Sequence, residues 1–403
     1  MSRMFAALLL AWNFQFQRSY MNMPRKIRVK LPRSLTLMIM LLFLRASSAI
    51  AQEGPPGITL PIVFPSFKAD LPACNVPPDL LKVIAFAKDN EREFINGVEL
   101  GLKAAADDRK LEYRSAIANN NAGKMIAQVD RWREEKIGAV VAAPVDPISL
   151  GRSLQKLIWQ GAYVGTVVPP PATSILNAPQ YLTGKVLGDT AASYIKQHFK
   201  EQANVVILTH DSLQFLAPRF AAMRDALRDI PGTTIVADIS PVTVNKQGGA
   251  ATMRTILLAN PKIDVVLGAD TVVLGALDAL RAIGKDRPDQ FLGGIDGEPE
   301  ALEEIKNGGP YKTTVNLASP IFGYAMGQHA ADWLEGKSIP QAMDILPKLL
   351  FAENMQQYRV DFANPGAVYR DRSRRDEYLR MYGNICFDTR DKYVNFPWSS
   401  ERQ

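Results

Sequence analysis

Residues 264–297 read DVVLGADTVVLGALDALRAIGKDRPDQFLGGIDG, and this stretch decides the fold. Two short apolar runs, at 265–268 and 291–295, predict buried strands. Between them, apolar residues recur at the 3.6-residue spacing of a helix over 271–283. A strand–helix–strand unit of this length predicts two parallel strands joined by a right-handed crossover.

Each of these two strands is followed by an acid, Asp270 or Asp296. Open parallel sheets bind ligands outside the carboxyl ends of their strands, where both acids fall. Two carboxylates at that edge indicate hydrogen-bond acceptors for a polyhydroxylated ligand. A second interpretation of Asp270 stays open, because an Asp before Thr271 is also a typical helix cap.

The same alternation of strands and helices fills most of the chain. One array runs from about residue 82, and a second begins after Pro169-Pro170-Pro171. Two successive βα arrays of similar length predict two doubly wound α/β lobes. A length of 403 residues also exceeds a single ordinary core.

The charge of the chain is concentrated at its N-terminus. The formal net charge is +6, but residues 1–51 hold eight Lys or Arg and no acid. The remainder therefore has 39 basic against 41 acidic residues and a net charge of −2. This balance argues against nucleic acid or an anionic membrane surface as a partner.

The basic N-terminal segment has the pattern of an export signal. Basic residues at 25–33 precede an apolar run at 35–44, and Ala49-Ile50-Ala51 supplies a small-x-small cleavage site. We expect cleavage near Ala51, with translation starting at Met1, Met21 or Met23. An uncleaved signal anchor is the alternative. Residues 52–81 that follow are Pro-rich and predict an irregular leader.

Evidence for catalysis in the sequence is weak. His210, Asp211 and Ser212 form the one local trio that suggests a nucleophile, but no nucleophile elbow surrounds it. The sequence contains no G-x-G-x-x-G motif, no phosphate loop and no Cys/His metal spacing. We therefore predict a protein that is not an enzyme and that needs no cofactor or metal.

Six segments in fixed order resemble a known family. They are FINGVELGLKAAA, QVDRWREEKIGAVVAAPVDP, PRFAAMRDAL, LLANPKIDVVLGADTVVLGALDALRAIG, GGIDG and PKLLFAENMQQY. The chain resembles the type I periplasmic solute-binding proteins of ABC transporters, in the ribose and sugar branch. This resemblance implies two Rossmann-like lobes, joined by three hinge crossovers, that close on a ligand held between them.

The resemblance also implies a domain division. Lobe 1 comprises residues 82–182 and 317–352, and lobe 2 comprises 183–316. Residues 353–403 form a C-terminal extension with mixed charges, for which we expect a solvated and partly docked surface segment.

Seven ligand-binding positions follow from the resemblance. The implied residues are Lys88, Arg92, Phe94, Arg219, Asp270, Asp296 and Asn316. Phe94 matches an aromatic residue that stacks on a sugar face, and Arg219 and Asp296 match a guanidinium and a carboxylate that hold hydroxyl groups. Asn316 matches an amide at a hinge crossover.

The chain departs from the ribose branch in the first lobe. Lys88 and Arg92 stand where that branch has small or amide side chains, and Val168-Pro169 replace an Asp-Arg pair. In the second lobe, Ala269 replaces an amide. The predicted ligand is therefore a sugar-like polar small molecule of unspecified identity.

The resemblance gives the expected partners and location. We expect a monomer in the periplasm that delivers its ligand to the membrane permease of an ABC importer. The alternative is a ligand-sensing protein that signals to a membrane sensor kinase or chemoreceptor.

The two cysteines, Cys74 and Cys386, lie in the leader and the C-terminal extension. Export places them in an oxidising compartment, where cysteines are usually paired. In the family fold, the chain enters the first lobe near Lys82 and returns to it after Asn316, so we expect the leader and the extension to run over the same surface. We therefore predict a Cys74–Cys386 disulfide.

Overall fold

The structure is a computed structural model that describes residues 63–91, 93–167, 171–210, 216–396 and 398–402. The predicted export signal lies outside the described residues. Strands β1 to β13 are, in chain order, Leu81–Lys88, Glu112–Ile117, Ile137–Ala142, Tyr163–Val167, Ser174–Asn177, Gln202–Leu208, Gly232–Ile239, Val265–Leu267, Phe291–Ile295, Tyr311–Leu317, Ala342–Ile345, Pro347–Leu350 and Leu379–Tyr382.

Helices connect most of these strands. Helices α1 to α12 are Glu93–Asp108, Ala122–Glu134, Pro147–Gln160, Gln180–His198, Ala217–Leu227, Lys246–Ala259, Asp270–Ala282, Pro299–Lys306, Ser319–Leu334, Met355–Ala363, Pro365–Arg370 and Arg372–Tyr378. Within the described part of the chain, no helix combines the length and the apolar character needed to cross a membrane.

The strands form two sheets, one in each lobe. The first sheet has the order β13-β11-β5-β4-β3-β1-β2, and the second has the order β12-β10-β9-β8-β6-β7. Neighbouring strands are parallel except for β13 beside β11 and β12 beside β10. Two mixed but mainly parallel α/β lobes confirm the predicted fold class.

Each sheet has helices packed on both faces, and its central strands are buried. In β1, Ile84 and Phe86 pack in a core with α1 and α9, whereas Val83 and Ala85 pack in a core with α2 and α3. Successive side chains of a strand point to opposite faces, so one apolar run contributes to two cores. The second sheet is arranged in the same way, with α6 and α7 on one face and α4 and α5 on the other.

The stretch quoted first forms the centre of the second lobe. β8 and β9 are parallel neighbours, with Val265 paired to Phe291 and Leu267 to Gly293. The predicted strand at 291–295 has the bounds of β9, and the predicted helix over 271–283 begins and ends one residue earlier as α7.

The chain passes between the sheets four times, the last time through α10 to α12 on its way from β12 to β13, and before that at three short connections. They lie between β5 and α4, between β10 and α9, and between β11 and β12. The predicted division puts the apolar stretch 345–351 in one lobe. This stretch contains the third of the short connections, between β11 and β12. Pro347 pairs with Leu317 of the second sheet, so β12 belongs to the second lobe and residues 317–352 are shared between the lobes.

The C-terminal extension is more extensively folded than the solvated and partly docked surface segment that we expected. After α12 it adds β13 to the edge of the first sheet, antiparallel to β11. Tyr378, Leu379 and Ile385 are buried in the core of the first lobe, and Val394 and Trp398 are buried nearby. The sequence did not show that the extension adds a strand to the sheet and side chains to the core, because its apolar residues are spaced irregularly among many charges.

The leader and the extension lie side by side on the first lobe. The Phe67 amide donates to the Met381 carbonyl at 3.0 Å, and the Gly383 amide donates to the Pro65 carbonyl at 2.7 Å. Cys74 and Cys386 form a disulfide across 312 residues of sequence, with Cα atoms 6.3 Å apart. The predicted pairing is present in the structure.

Candidate functional site

A cavity of about 530 Å³ lies between the two lobes beside the hinge connections. Its lining comes from the start of α1, the loop between β9 and α8, the end of β10, and α10. The main lining residues are Glu93, Phe94, Asp296, Glu298, Asn316, Tyr358, Arg359 and Phe362. Both lobes contribute to this cavity, which is the arrangement needed for a ligand to bridge them.

Asp296 is presented to the cavity by a tight loop after β9. Its side chain is exposed, and its backbone has a positive φ of 118°. Its amide donates to the Val315 carbonyl at 2.8 Å, and its carbonyl accepts from Asn316 Nδ2 at 2.6 Å. The next residue must be glycine, because a Cβ on Gly297 would lie 1.9 Å from Asn316 Nδ2.

Asp270 supports this loop from below and does not face the cavity. Its carboxylate is completely buried and accepts from the Tyr311 hydroxyl at 2.6 Å, the Thr314 hydroxyl at 2.8 Å and the Glu298 amide at 2.8 Å. Gly294 leaves space for it, since a Cβ there would lie 1.7 Å from Asp270 Oδ1. Burial is the main reason that the pKa of Asp270 is raised to about 6.

Asp270 therefore corrects two expectations. It does not reach the cavity as a ligand residue, because the protein itself occupies its carboxylate. It is also not the cap of α7, since the helix begins at Asp270 and Ala269 stands at the cap position. Asp270 was predicted to bind the ligand because it follows β8. That position does not separate the two roles, since a residue there can either contact a ligand or support a neighbouring loop.

Arg219 lies at the start of α5 and is not among the residues that line the cavity. The side chain is 7% exposed, and its Nε donates to Gln180 Oε1 at 3.0 Å. Burial lowers the pKa of the guanidinium, and the nearby Asp296 carboxylate opposes that effect. The Asp296 carboxylate therefore acts electrostatically on Arg219. The ligand-binding role that the resemblance implied for Arg219 stays a prediction.

Phe94 and Asn316 also lie at the cavity. Phe94 is half-buried at the start of α1 and packs against the core of the first lobe. Both ends of the Asn316 amide are used: Nδ2 donates to Asp296, and Oδ1 accepts from the Tyr358 hydroxyl. Asn316 therefore positions the Asp296 loop in addition to lining the cavity.

Lys88 does not line the cavity. It is buried at the end of β1, where its Nζ lies 2.6 Å from Glu99 Oε2 and 3.2 Å from Glu91 Oε1. Burial alone would lower its pKa, but these two hydrogen bonds outweigh that effect and raise it. Its charge is neutralised within the first lobe. Arg92, the other predicted cation, lies outside the described residues.

Sequence reasoning missed two acids of the cavity, Glu93 and Glu298. Burial raises the pKa of Glu298 to about 7, and the charges of Asp270 and Asp296 add to this effect. A signal was present in the sequence, since both acids lie within two positions of a residue that was predicted to bind the ligand. Glu93 precedes Phe94, and Glu298 follows Asp296 by two positions.

Two aromatic residues from the C-terminal extension were also missed. Tyr358 and Phe362 project from α10 into the cavity lining, with ring centroids 5.5 Å apart. Their i, i+4 spacing places them on one face of a helix. That spacing could have identified α10 as a packed helix, but not the surface on which it packs.

Within the described residues, the remaining candidate groups do not assemble into a metal site. Among the described residues, the one group of acids, Cys and His at metal-ligand spacing is Cys74, Cys386 and Asp388, and its two sulfurs are bonded to each other. In the trio considered for catalysis, Asp211 and Ser212 lie outside the described residues.

Comparison with known families identifies the type of protein. Residues 83–338 match the family described as periplasmic binding protein domain. The chain belongs to this family. The match covers more than half of the chain and confirms the predicted class, a solute-binding protein and not an enzyme.

Individual relatives place this binding protein near the sugar branch. It is 24% identical over 304 residues to the ribose import binding protein RbsB of Bacillus subtilis (strain 168), covering 69% of this chain and 94% of that protein.

Solved structures share its fold. An ABC transporter solute-binding protein from Bacillus halodurans C-125, with bound myo-inositol, has 22% identity and a TM-score of 0.60, covering 70% of this chain and 98% of that chain. A second ABC transporter solute-binding protein, from Actinobacillus succinogenes 130z with bound D-allose, has 19% identity and a TM-score of 0.61. The match covers 69% of this chain and 100% of that chain.

Proposed function

We propose that this protein is the periplasmic substrate-binding component of an ABC importer and that it captures a sugar-like polar small molecule between its lobes. The observation that carries this proposal is the cavity beside the hinges, to which Phe94 comes from one lobe and Asp296 from the other. Related binding proteins with bound myo-inositol and D-allose support the ligand class. The signal-like residues 1–51 support export and cleavage near Ala51.

The groups at the cavity suit a polyhydroxylated ligand. An ionised carboxylate accepts hydroxyl hydrogen bonds, and a guanidinium donates several in a planar fork. Hydrogen bonds to charged groups contribute about 1.5–3 kcal/mol each. Phe94 offers an apolar face on which a ring can pack. None of these interactions requires a covalent step.

Closure follows from contacts that come from both lobes. A ligand that touches Phe94 and Asp296 together interacts more strongly with a closed arrangement than with an open one. Such a ligand shifts the population toward closure by its difference in affinity for the two states. The short connections at the ends of β5, β10 and β11 are the segments about which this movement takes place.

The ligand part of the proposal is tested by a thermal-shift screen of the exported protein against pentoses, hexoses and polyols. Hits are then measured by titration calorimetry. A saturable stabilisation by at least one compound supports the proposal. No binding across the whole panel contradicts it.

The partner part is tested by a pull-down from native membranes with and without an identified ligand. Recovery of a transporter permease supports the import role. Recovery of a sensor kinase or chemoreceptor in its place would establish the sensing alternative.

A further inference from the structure

The cavity is lined by more negative than positive charge. Among its described lining residues, Glu93, Asp296, Glu298 and Glu303 are acidic, and Arg359 is the one base. Arg359 Nη2 lies 3.3 Å from Glu303 Oε1, so those two charges offset each other at the exposed edge. The positive charge of Arg219 attracts the carboxylate of Asp296. Among the described residues, Glu93 and Glu298 are the cavity acids that form no ion pair and receive no balancing charge.

Glu298 is the less exposed of these two acids. It is half-buried, and within the described part of the chain no cationic side chain pairs with it. The ionisable groups that act on it from the surrounding elements are Glu93, Asp270, Asp296, Glu300 and Tyr311. All of them are negative or neutral. A half-buried carboxylate in such surroundings is stabilised by a positive charge that enters the cavity.

The other surfaces of the cavity are aromatic. Phe94 comes from the first lobe, and Tyr358 and Phe362 come from α10. Aromatic faces attract ammonium groups by about 0.5–2 kcal/mol, depending on how far the cation is desolvated. Carboxylates next to aromatic rings form a lining that suits an organic cation better than a neutral polyol of the same size.

A bare metal ion does not fit this lining. In the described chain, the cavity acids do not approach one another closely enough to act as a group of metal ligands. A volume of about 530 Å³ instead accommodates a molecule the size of a sugar.

We propose that this cavity selects a polyhydroxylated ligand carrying a protonated amine, of the amino-polyol class, over the matching neutral polyol. The proposal rests on the proposed function, which makes this cavity the ligand site. Glu298 and Glu93 bind the ammonium group, Asp296 accepts hydroxyl hydrogen bonds, and the aromatic residues pack against the carbon skeleton.

The test compares glucamine with sorbitol by titration calorimetry. The two hexitols differ in one terminal group, an amine against a hydroxyl. We expect glucamine to bind at least about tenfold more tightly, which corresponds to about 1.4 kcal/mol. Equal or tighter binding of sorbitol would overturn the inference and leave the proposed function standing. Binding of neither hexitol would also overturn it.

Substitutions of Glu298 and Glu93 test whether these acids cause the preference for glucamine over sorbitol. In Glu298→Gln, which keeps the side-chain shape, the ratio of the two affinities should fall toward one, with little change for sorbitol. Glu134→Gln, an exposed acid on α2 outside the cavity lining, is the matched control. Glu93→Gln, at the exposed start of α1, provides a second test if the first variant folds poorly. An unchanged ratio in both cavity variants would overturn the inference.

The pH dependence provides an independent readout. The amine of glucamine stays protonated across neutral pH, because a primary alkyl amine has a pKa of about 10, as in lysine. The pKa of Glu298 is about 7, so its charge is lost on acidification. Selectivity for glucamine should therefore decrease from about pH 8 to about pH 5.5. A selectivity that stays flat or rises over this range would count against the role of Glu298.

Discussion

Asp296 is held in a backbone conformation that non-glycine residues rarely adopt. Its φ of 118° costs on the order of 1–3 kcal/mol, and such strain persists where surrounding contacts impose it. Here Val315 and Asn316 of β10 fix the peptide groups on either side of the side chain. The strain directs the carboxylate toward the cavity and ties its position to a hinge strand.

Replacing Asp296 or Arg219 by alanine should therefore abolish or greatly weaken ligand binding while the fold is retained. Each change removes one partner of a charged group at a closing site, a loss of roughly 2–5 kcal/mol. Titration calorimetry gives the affinity, and circular dichroism checks the fold. Asp286→Ala at a half-buried position and Arg254→Ala at an exposed position, both outside the cavity lining, are the controls. Near-normal affinity in both site variants would place the ligand elsewhere.

Glu298 makes the stability of the ligand-free protein depend on pH. Its pKa is raised from 4.5 to about 7 in the folded protein, so between these values the unfolded chain loses a proton that the folded protein keeps. The unfolded state then binds fewer protons, and the free energy of unfolding decreases as pH rises through this window. Asp270, with a pKa of about 6, acts in the same direction.

Glu298→Gln should remove part of this pH dependence. We expect the variant to be more stable than the native protein by about 1–2 kcal/mol above pH 7, a figure reduced for solvent screening, and nearly equal to it at about pH 4. Denaturant unfolding at several pH values measures the difference. A variant that is less stable than the native protein at high pH would contradict the assignment.

At the scale of single elements, α10 joins the two lobes. Met355 packs in the core of the second lobe, and Tyr358, one turn later, packs in the core of the first. The Tyr358 hydroxyl donates to Asn316, which in turn holds Asp296. The first helix of the C-terminal extension is therefore connected to the ligand loop through two hydrogen bonds.

Tyr358→Phe should weaken ligand binding by about twofold to tenfold, since a hydrogen bond contributes roughly 0.5–1.5 kcal/mol and its loss frees the Asn316 amide. Calorimetry of the same ligand measures the effect. Tyr181→Phe is the matched control, because that hydroxyl donates to Asp225 on the surface at 2.8 Å. Equal affinities of the two variants would show that α10 does not influence the loop.

At the scale of the whole molecule, the disulfide fastens both appendages to the first lobe. Cys74 belongs to the leader, and its backbone amide donates to the Gly336 carbonyl at 2.7 Å. Cys386 begins the short helical turn Phe387–Lys392 of the extension. The link closes a loop that includes both lobes, so it restricts the unfolded chain strongly.

Replacing Cys74 and Cys386 together by serine should lower the free energy of unfolding by about 2–5 kcal/mol. Ligand affinity should change little, because neither cysteine lines the cavity. Chemical unfolding and limited proteolysis of the extension measure the first effect, and calorimetry measures the second. An affinity loss as large as that of the Asp296 variant would show that the appendages shape the site itself.

The class of fold could be predicted from sequence because it depends on local periodicity. The predicted strand at 291–295 has the bounds of β9, and the predicted helix over 271–283 matches α7 to within one residue at each end. Asp296 was found by the same reasoning, since a residue that follows a parallel strand must lie at the ligand edge of the sheet. The Cys74–Cys386 pair followed from the export signal together with the family fold.

Sequence determined that Asp270 and Asp296 both lie at one edge of a sheet, but only the tertiary structure decided which of them faces the cavity. The choice depends on Gly294, which leaves room for the Asp270 carboxylate, and on Tyr311, which donates to it from another strand. Likewise, no local pattern showed that Tyr358 would meet Asn316. Hydrogen-bond partners, and the surface on which a helix packs, are set by residues far apart in the chain, and the periodicity of a segment carries no information about them.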